Sequence, residues 1–357
     1  ARHRWGTLIA APWPRVTCRL RGRAPPDRTI GDSRFSARLA AVHASIVNRP
    51  LSTLSAGAVR VVLVLALWVG ALAAARADDG VLVLGRISDD PGAHYEQLKH
   101  LLDYVVPRMA DVGIREGRVL MARDAQQMQS YMRRGRVDWV TETAATAMML
   151  AERAGAVPLL MTERDGVAQY HTLYFVRNDS PVRTLDDLRG RSIAFQNRFS
   201  TSAYYVPAVE LLERGQRLEV LLSPMDRPAP DSVGYLFGRS ELNISSWVHK
   251  GLVDAGVMSN LDWTNPKRVP PSYRRDFRIV RETPAYPRAL EMVRGDLDAR
   301  IAARLREVLL GAADDPDARE ALLRFFKTTR FVPLDAGTDH ALAHLRKGVQ
   351  RVAKEVE

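Results

Sequence analysis

Ser200, Thr201 and Ser202 stand in a row inside the stretch Arg191–Pro207, RSIAFQNRFSTSAYYVP. The apolar run Ile193–Phe195 reads as a strand, a polar turn follows, and Ala203–Arg214 reads as a helix. Hydroxyl side chains at that junction can cap the helix and gather several free backbone N–H groups around one point. The helix dipole adds partial positive charge there, which suits an oxyanion. An ordinary N-cap uses the same residue types, so capping and anion capture both stand open for this triplet.

Glu142 and Thr143 follow one strand-like run and precede a helix-like one, the usual place for cleft residues in α/β sheets. A carboxylate there equally complements a helix dipole, and Thr143 is either a cap or a ligand donor. Tyr95, at the start of the first helix, either walls a cleft or packs. His171 reads as a structural histidine and Trp247 as core. No HExxH, GxSxG or Cys/His arrangement occurs, and the eight histidines show no metal spacing. Ser200 has no base beside it in sequence to make it a nucleophile. Binding is therefore expected rather than catalysis, with no cofactor and no metal.

The formal charge of +11 over 357 residues would suggest a nucleic-acid partner. It comes from the N-terminus. Residues 1–77 hold 12 arginines, no lysine, and only Asp27 and Asp32 as acids. Removing these from totals of 52 basic and 41 acidic residues leaves 40 and 39 in residues 78–357. A balanced body gives no reason to expect nucleic acid. Residues 1–50, rich in Arg, Ala and Pro, are expected to be disordered or an over-extended upstream translation. Arg60, the apolar run Val61–Ala75 and Ala75-Arg76-Ala77 form a signal peptide over 51–77, cleaved after Ala77. The run is shorter than the ~20 residues a membrane span needs. Cys18, the one cysteine, lies upstream of that cut, and no cysteine follows it to carry a lipid. An unlipidated, monomeric protein of the periplasm is expected.

These residues need positioning elements. Apolar strand-like runs at Val81–Ile87, Val119–Ala122, Val137–Val140 and Val157–Met161 alternate with helical patterns at Ala93–Met109, Ala125–Arg134 and Ala144–Ala154. That is the pattern of a parallel α/β sheet. Further strands are expected at Leu173–Val176, Asp254–Met258, Phe277–Arg281 and Leu290–Val293. Helices are expected at Thr184–Gly190, Glu241–Lys250, Asp298–Leu310, Asp317–Thr328 and Asp339–Val356. A body of this length suits two lobes. Breaks near Arg177–Pro181 and Thr283–Pro287 assign 78–176 with 284–357 to the first lobe and 177–283 to the second, the ligand lying between them.

Asp179–Pro207, DSPVRTLDDLRGRSIAFQNRFSTSAYYVP, resembles a family pattern: a DSP turn, an SLxDLxGK helix and an AFxxxxSTSGxxxP strand–loop–helix. The family is the periplasmic substrate-binding proteins of phosphate/phosphite/phosphonate ABC transporters. Gly135–Thr143, Asp165–Val176, Gly251–Asn260 and Phe325–Pro333 resemble it more weakly. The resemblance covers essentially all of residues 78–357. It implies the two-lobed type II binding-protein fold, a small oxyanion ligand and an ABC permease partner in the inner membrane. It matches Ser200, Thr201 and Ser202 to the oxyanion-binding hydroxyls, and it adds Ser240, Asn243 and Asn260 as candidate cleft residues. Three departures stand out. Ala203 replaces a glycine, Thr141-Glu142-Thr143 replaces an aromatic or glycine-containing segment, and Gly238–Glu241 lacks the family's histidine. Arg239 in that segment is either a bidentate clamp or solvated. Glu142 would repel a phosphoryl dianion, accept from a protonated one, or pair with a ligand amino group. A sensor docking on a membrane kinase, or a receptor for another small anion, would need the same cleft.

Overall fold

The computed structural model describes residues 80–88 and 90–356. The leader (1–50) and the signal peptide (51–77) expected from sequence lie outside the described residues. No helix among the described residues is long and apolar enough to cross a membrane.

The first half of the chain alternates as its patterning requires: β1 (Val81–Ile87), α1 (Pro91–Val105), β2 (Glu116–Ala122), α2 (Ala125–Arg133), β3 (Trp139–Glu142), α3 (Ala144–Ala154) and β4 (Val157–Arg164). A short strand β5 (Gln169–Tyr170) leads into β6 (Thr172–Arg177), β7 (Ser192–Phe195), α4 (Val206–Glu213), β8 (Arg217–Val220) and β9 (Ser232–Phe237). There follow α5 (Glu241–His249), β10 (Ala255–Ser259), α6 (Asn260–Thr264), α7 (Pro271–Arg274) and β11 (Phe277–Glu282). The chain ends with β12 (Tyr286–Pro287), β13 (Leu290–Val293), α8 (Ala299–Gly311), α9 (Arg319–Arg324), β14 (Thr328–Val332) and α10 (Ala336–Glu355).

These strands form two six-stranded sheets, ordered β14-β4-β13-β3-β1-β2 and β11-β6-β10-β7-β9-β8. Both are mixed rather than wholly parallel, because β13 runs antiparallel between β3 and β4, and β6 runs antiparallel between β10 and β11. β5 and β12 pair antiparallel where the chain crosses between the sheets. The Tyr170 and Tyr286 rings meet edge to face at 4.8 Å, and the Tyr286 hydroxyl lies 2.6 Å from Thr172 Oγ1.

Side chains of β1 and β3 (Leu82, Leu84, Trp139) are buried against Leu98, Leu101 and Leu102 of α1 and Leu305 and Leu309 of α8. A second cluster joins Met148 and Leu150 of α3, Val209 and Leu211 of α4, and Leu342, Leu345 and Val349 of α10. Helix α10 therefore lies across both lobes. Arg346 pairs with Glu152 of α3 on one side, and His344 lies 3.3 Å from Glu213 at the end of α4 on the other.

Three expectations need correction. Leu173–Val176, assigned to the first lobe, lies in β6, which pairs with β10 and β11 of the second sheet. The crossing precedes it at β5, and Asn178–Pro181 is a turn within one lobe, where Asn178 N donates to Asp276 O at 2.8 Å. A proline-rich break marks a hinge and a tight turn alike. The helix expected over Asp317–Thr328 stops at Arg324. Phe326 and Lys327 then take left-handed backbones and the chain enters β14. No glycine announces that stop. The strands β8 and β9 have no counterpart in the expected set. They are short, and the intervening Pro224, Pro228 and Pro230 mask their pattern.

Candidate functional site

Both sheets turn one edge toward the crossing. In the first, Leu290 at the start of β13 faces Glu142 and Met161, and Thr328 at the start of β14 faces Arg164. That edge gathers the C-terminal ends of β1, β3 and β4, with Arg288 and Phe326 just ahead of β13 and β14. In the second sheet β7, β9 and β10 are parallel, Thr172 faces Ser259, and Leu173 faces Glu282. The crossing segments join these two edges, so the cleft lies between strand C-termini, where α/β sheets ordinarily take ligands.

Ser200 is the N-cap, its Oγ accepting from Ala203 N at 3.1 Å. The first turn, Thr201–Tyr205, is a π-turn, with Ala203 at φ −117°, ψ 21°, before α4 becomes regular. Such turns recur at functional sites because they re-aim side chains. Thr201 Oγ1 accepts from Ala145 N in the first turn of α3 at 3.0 Å, a bond from one lobe to the other. The Ser202 carbonyl accepts from Thr172 Oγ1 at 2.7 Å, and its side chain bonds the Tyr170 hydroxyl. Burial pushes that phenol up to about 12, against the pull of the serine. The triplet thus sits where the N-terminal ends of two helices meet, beside Thr143, the N-cap of α3, which forms no side-chain capping bond.

Glu142 is beside the triplet's partner helix but spends its carboxylate inward. Its Oε1 accepts from Ile87 N at 2.7 Å, and the Thr143 amide adds a second bond. Burial holds the carboxyl above the usual range, opposed by Arg86 and by those amides. Ser240 and Asn243 serve the β9–α5 turn. Ser240 Oγ accepts from Asn243 N at 3.2 Å, and Asn243 Nδ2 donates to Gly238 O at 2.7 Å. Asn260 braces the crossing, its Oδ1 accepting from His171 N at 3.1 Å. Tyr95 is 41% exposed on α1. Arg239 is exposed, with a left-handed backbone. Ser200–Ser202 and Glu142–Thr143 are therefore brought together by the Thr201–Ala145 bond, whereas Ser240, Asn243 and Asn260 are engaged in holding turns.

Sequence reasoning missed the first-lobe wall. Glu291, inside the apolar strand β13, accepts from Trp139 Nε1 (2.6 Å), Thr141 Oγ1 (2.9 Å) and Thr162 Oγ1 (2.6 Å). Arg86 and Arg164, ending β1 and β4, place their guanidiniums 4.3 and 4.5 Å from the centroid of the Phe326 ring. On the other wall Gln196 Nε2 donates to Glu241 Oε1 at 2.6 Å, and Arg268 pairs with both Glu241 and Asp262. Charged residues closing otherwise apolar strands were the available signal. A cavity of about 400 Å³ between α4, α10 and the crossing, lined by Val209, Glu210, Arg281 and Tyr286, contains none of the residues expected to bind ligand.

Residues 87–338 match the family described as the periplasmic substrate-binding protein of phosphonate ABC transporters. The chain belongs to that family. XAC2383 from Xanthomonas citri, in structures bound to chloride ion and to ATP, is 57% and 56% identical over 78% of this chain and 100% of that one, with a TM-score of 0.73. The binding protein of a Pseudomonas aeruginosa ABC phosphonate transporter is 19% identical over 78% of this chain and 90% of its own, with a TM-score of 0.52, a likeness of fold. This phosphonate-transporter family is periplasmic and serves transport rather than catalysis. It works with a small-molecule ligand and a membrane permease.

Proposed function

We propose that the protein closes on a small phosphorus oxyanion (phosphonate, phosphite or phosphate) and delivers it to an ABC permease. One observation carries the proposal: two helix N-termini meet across the cleft with Ser200, Thr201 and Ser202 between them, bridged by Thr201 Oγ1 and Ala145 N. Amides and hydroxyls so placed are donors for an anion, and both dipoles favour negative charge there. A bound oxyanion would take over the Ala145 amide and the triplet hydroxyls, and closure would remove water from those bonds. XAC2383 in complex with chloride ion and with ATP, both anions and the second carrying phosphate groups, supports an anion as the ligand here. Ser240, Asn243 and Asn260 act here by shaping the opposite rim rather than by gripping the ligand.

Titration calorimetry with phosphate, phosphite, methylphosphonate and an aminoalkyl phosphonate tests the proposal. The double variant Ser200→Ala, Ser202→Ala is expected to bind at least tenfold more weakly, since each charge-assisted hydrogen bond contributes ~1.5–3 kcal/mol. Undiminished affinity in that variant would remove the triplet from the site.

A further inference from the structure

Two guanidiniums share one aromatic ring on the first-lobe rim. Arg164 is 8% exposed, and Arg86 is half-buried. Both lie over Phe326 at 4.3 and 4.5 Å to its centroid, which keeps the two guanidinium carbons within 8.8 Å, the sum of those distances. Like charges held this close in a buried place repel. The carboxyls of Glu142 and Glu291 oppose this repulsion through their charge, but neither hydrogen-bonds to either guanidinium. Glu291 is occupied by Trp139, Thr141 and Thr162, and Glu142 by the amides of Ile87 and Thr143. Arg288, the third guanidinium here, adds positive charge and donates to Arg164 O at 2.5 Å.

The arginines' own bonds are few. Arg86 Nη1 donates to Thr141 O at 3.2 Å and Arg164 Nη2 to Thr141 Oγ1 at 3.3 Å. The Nε of each is buried without a hydrogen-bond partner among the described residues. A buried charged donor left unpaired is costly, and burial with the neighbouring Arg86 charge depresses Arg164 below the usual guanidinium range. Nε with an Nη is the fork by which arginine grips a tetrahedral oxyanion, and the ring of Phe326 fixes both forks without competing for their donors.

We propose that Arg86 and Arg164, seated on Phe326, form an anion subsite for a phosphate-type dianion on the first-lobe wall, built from residues other than the Ser200–Ser202 triplet. The proposal rests on the cleft being the ligand site. Each guanidinium supplies its Nε–H to the same group, so that the anion becomes the partner those two donors lack. A ligand with two anionic ends would be held by one lobe at each end.

The test uses the full chain with Arg86→Gln, Arg164→Gln and Arg164→Met, beside Ser200→Ala, Ser202→Ala. Inorganic phosphate, methylphosphonate and ATP are titrated calorimetrically, and melting of the ligand-free proteins is recorded. Both Gln variants and the Met variant are expected to bind at least tenfold more weakly. Arg164→Met is also expected to melt no lower than the parent without ligand, because it removes one of two repelling charges and keeps the packing on Phe326. A residue that merely held the fold would lower the melt and leave affinity alone, and that result overturns the proposal. Phosphate binding kept in the arginine variants but lost in the serine variant overturns the subsite and leaves the transport reading standing. Binding lost in the arginine variants but kept in the serine variant supports the subsite and removes the triplet from that reading. Silence of the parent protein toward all three probes overturns both.

Discussion

Glu142 ends a strand whose four residues are all buried, and its carboxylate is spent on the amides of Ile87 and Thr143. Because burial holds its folded-state pKa above the ordinary 4.5, the folded protein keeps this proton more tightly than the unfolded chain does. The stability linked to Glu142 is therefore complete below about pH 4.5 and is lost as pH rises through the raised value. Glu142→Gln cannot titrate, so its stability relative to the parent should improve as pH goes from 4.5 to 8. Urea midpoints of the two proteins across that range check this, and a difference independent of pH would mean the carboxyl is not perturbed. At this scale the placing of the hydroxyl triplet at a helix N-terminus was legible, because Ser, Thr and Ser after a strand and a loop are capping residues. Arg86 and Arg164 were not. A charged residue closing an apolar strand fits a solvated end as well as a cleft wall, and only the order β14-β4-β13-β3-β1 brings the two over one ring.

Among the elements, α10 has an expectation of its own. A Cβ built on Gly348 would stand 2.5 Å from both Cγ atoms of Val209 in α4, a distance that packed side chains do not tolerate. Gly348→Ala must push the helix off the second lobe or displace Val209, and overpacking of this kind costs about 1–3 kcal/mol. Thermal melting should show the loss, and Val209→Ala placed in the same chain should return most of it. The amphipathic helices were visible in sequence through their 3.6-residue period, as were the longer strands. The misassigned elements were those whose type depends on partners. Thr328–Val332 is a strand because β4 is beside it, and Leu173–Val176 belongs to the second lobe because β10 and β11 flank it.

For the molecule as a whole, the lobes are tied by the paired crossing strands, by α10 and by the bond from Ala145 N to Thr201 Oγ1. Of these three, the last lies at the candidate site. Thr201→Val keeps the shape and removes the acceptor, a loss of about 1 kcal/mol that would shift an opening equilibrium about fivefold. Small-angle scattering of the ligand-free variant should give a larger radius of gyration than the parent, and superimposable profiles would show that this bond does not hold the lobes. Two lobes with a double crossing were readable from alternation and chain breaks. The position of the crossing was misread, because Asn178–Pro181 punctuates the sequence more strongly than the short pair β5 and β12 does.

The place of β13 also orders events during synthesis. The second sheet is complete once residue 282 has emerged, since all six of its strands lie between Thr172 and Glu282. The first sheet is still divided at that moment. Its β3 and β4 are neighbours in sequence but are held apart in space by a strand supplied by residues 290–293. Until that strand arrives, two edges with unpaired backbone groups face each other across a gap that nothing else in the chain fills. The half that comes first in sequence is thus the half whose sheet cannot close until residues 290–293 join it, and until then its open edges are the ones exposed to association.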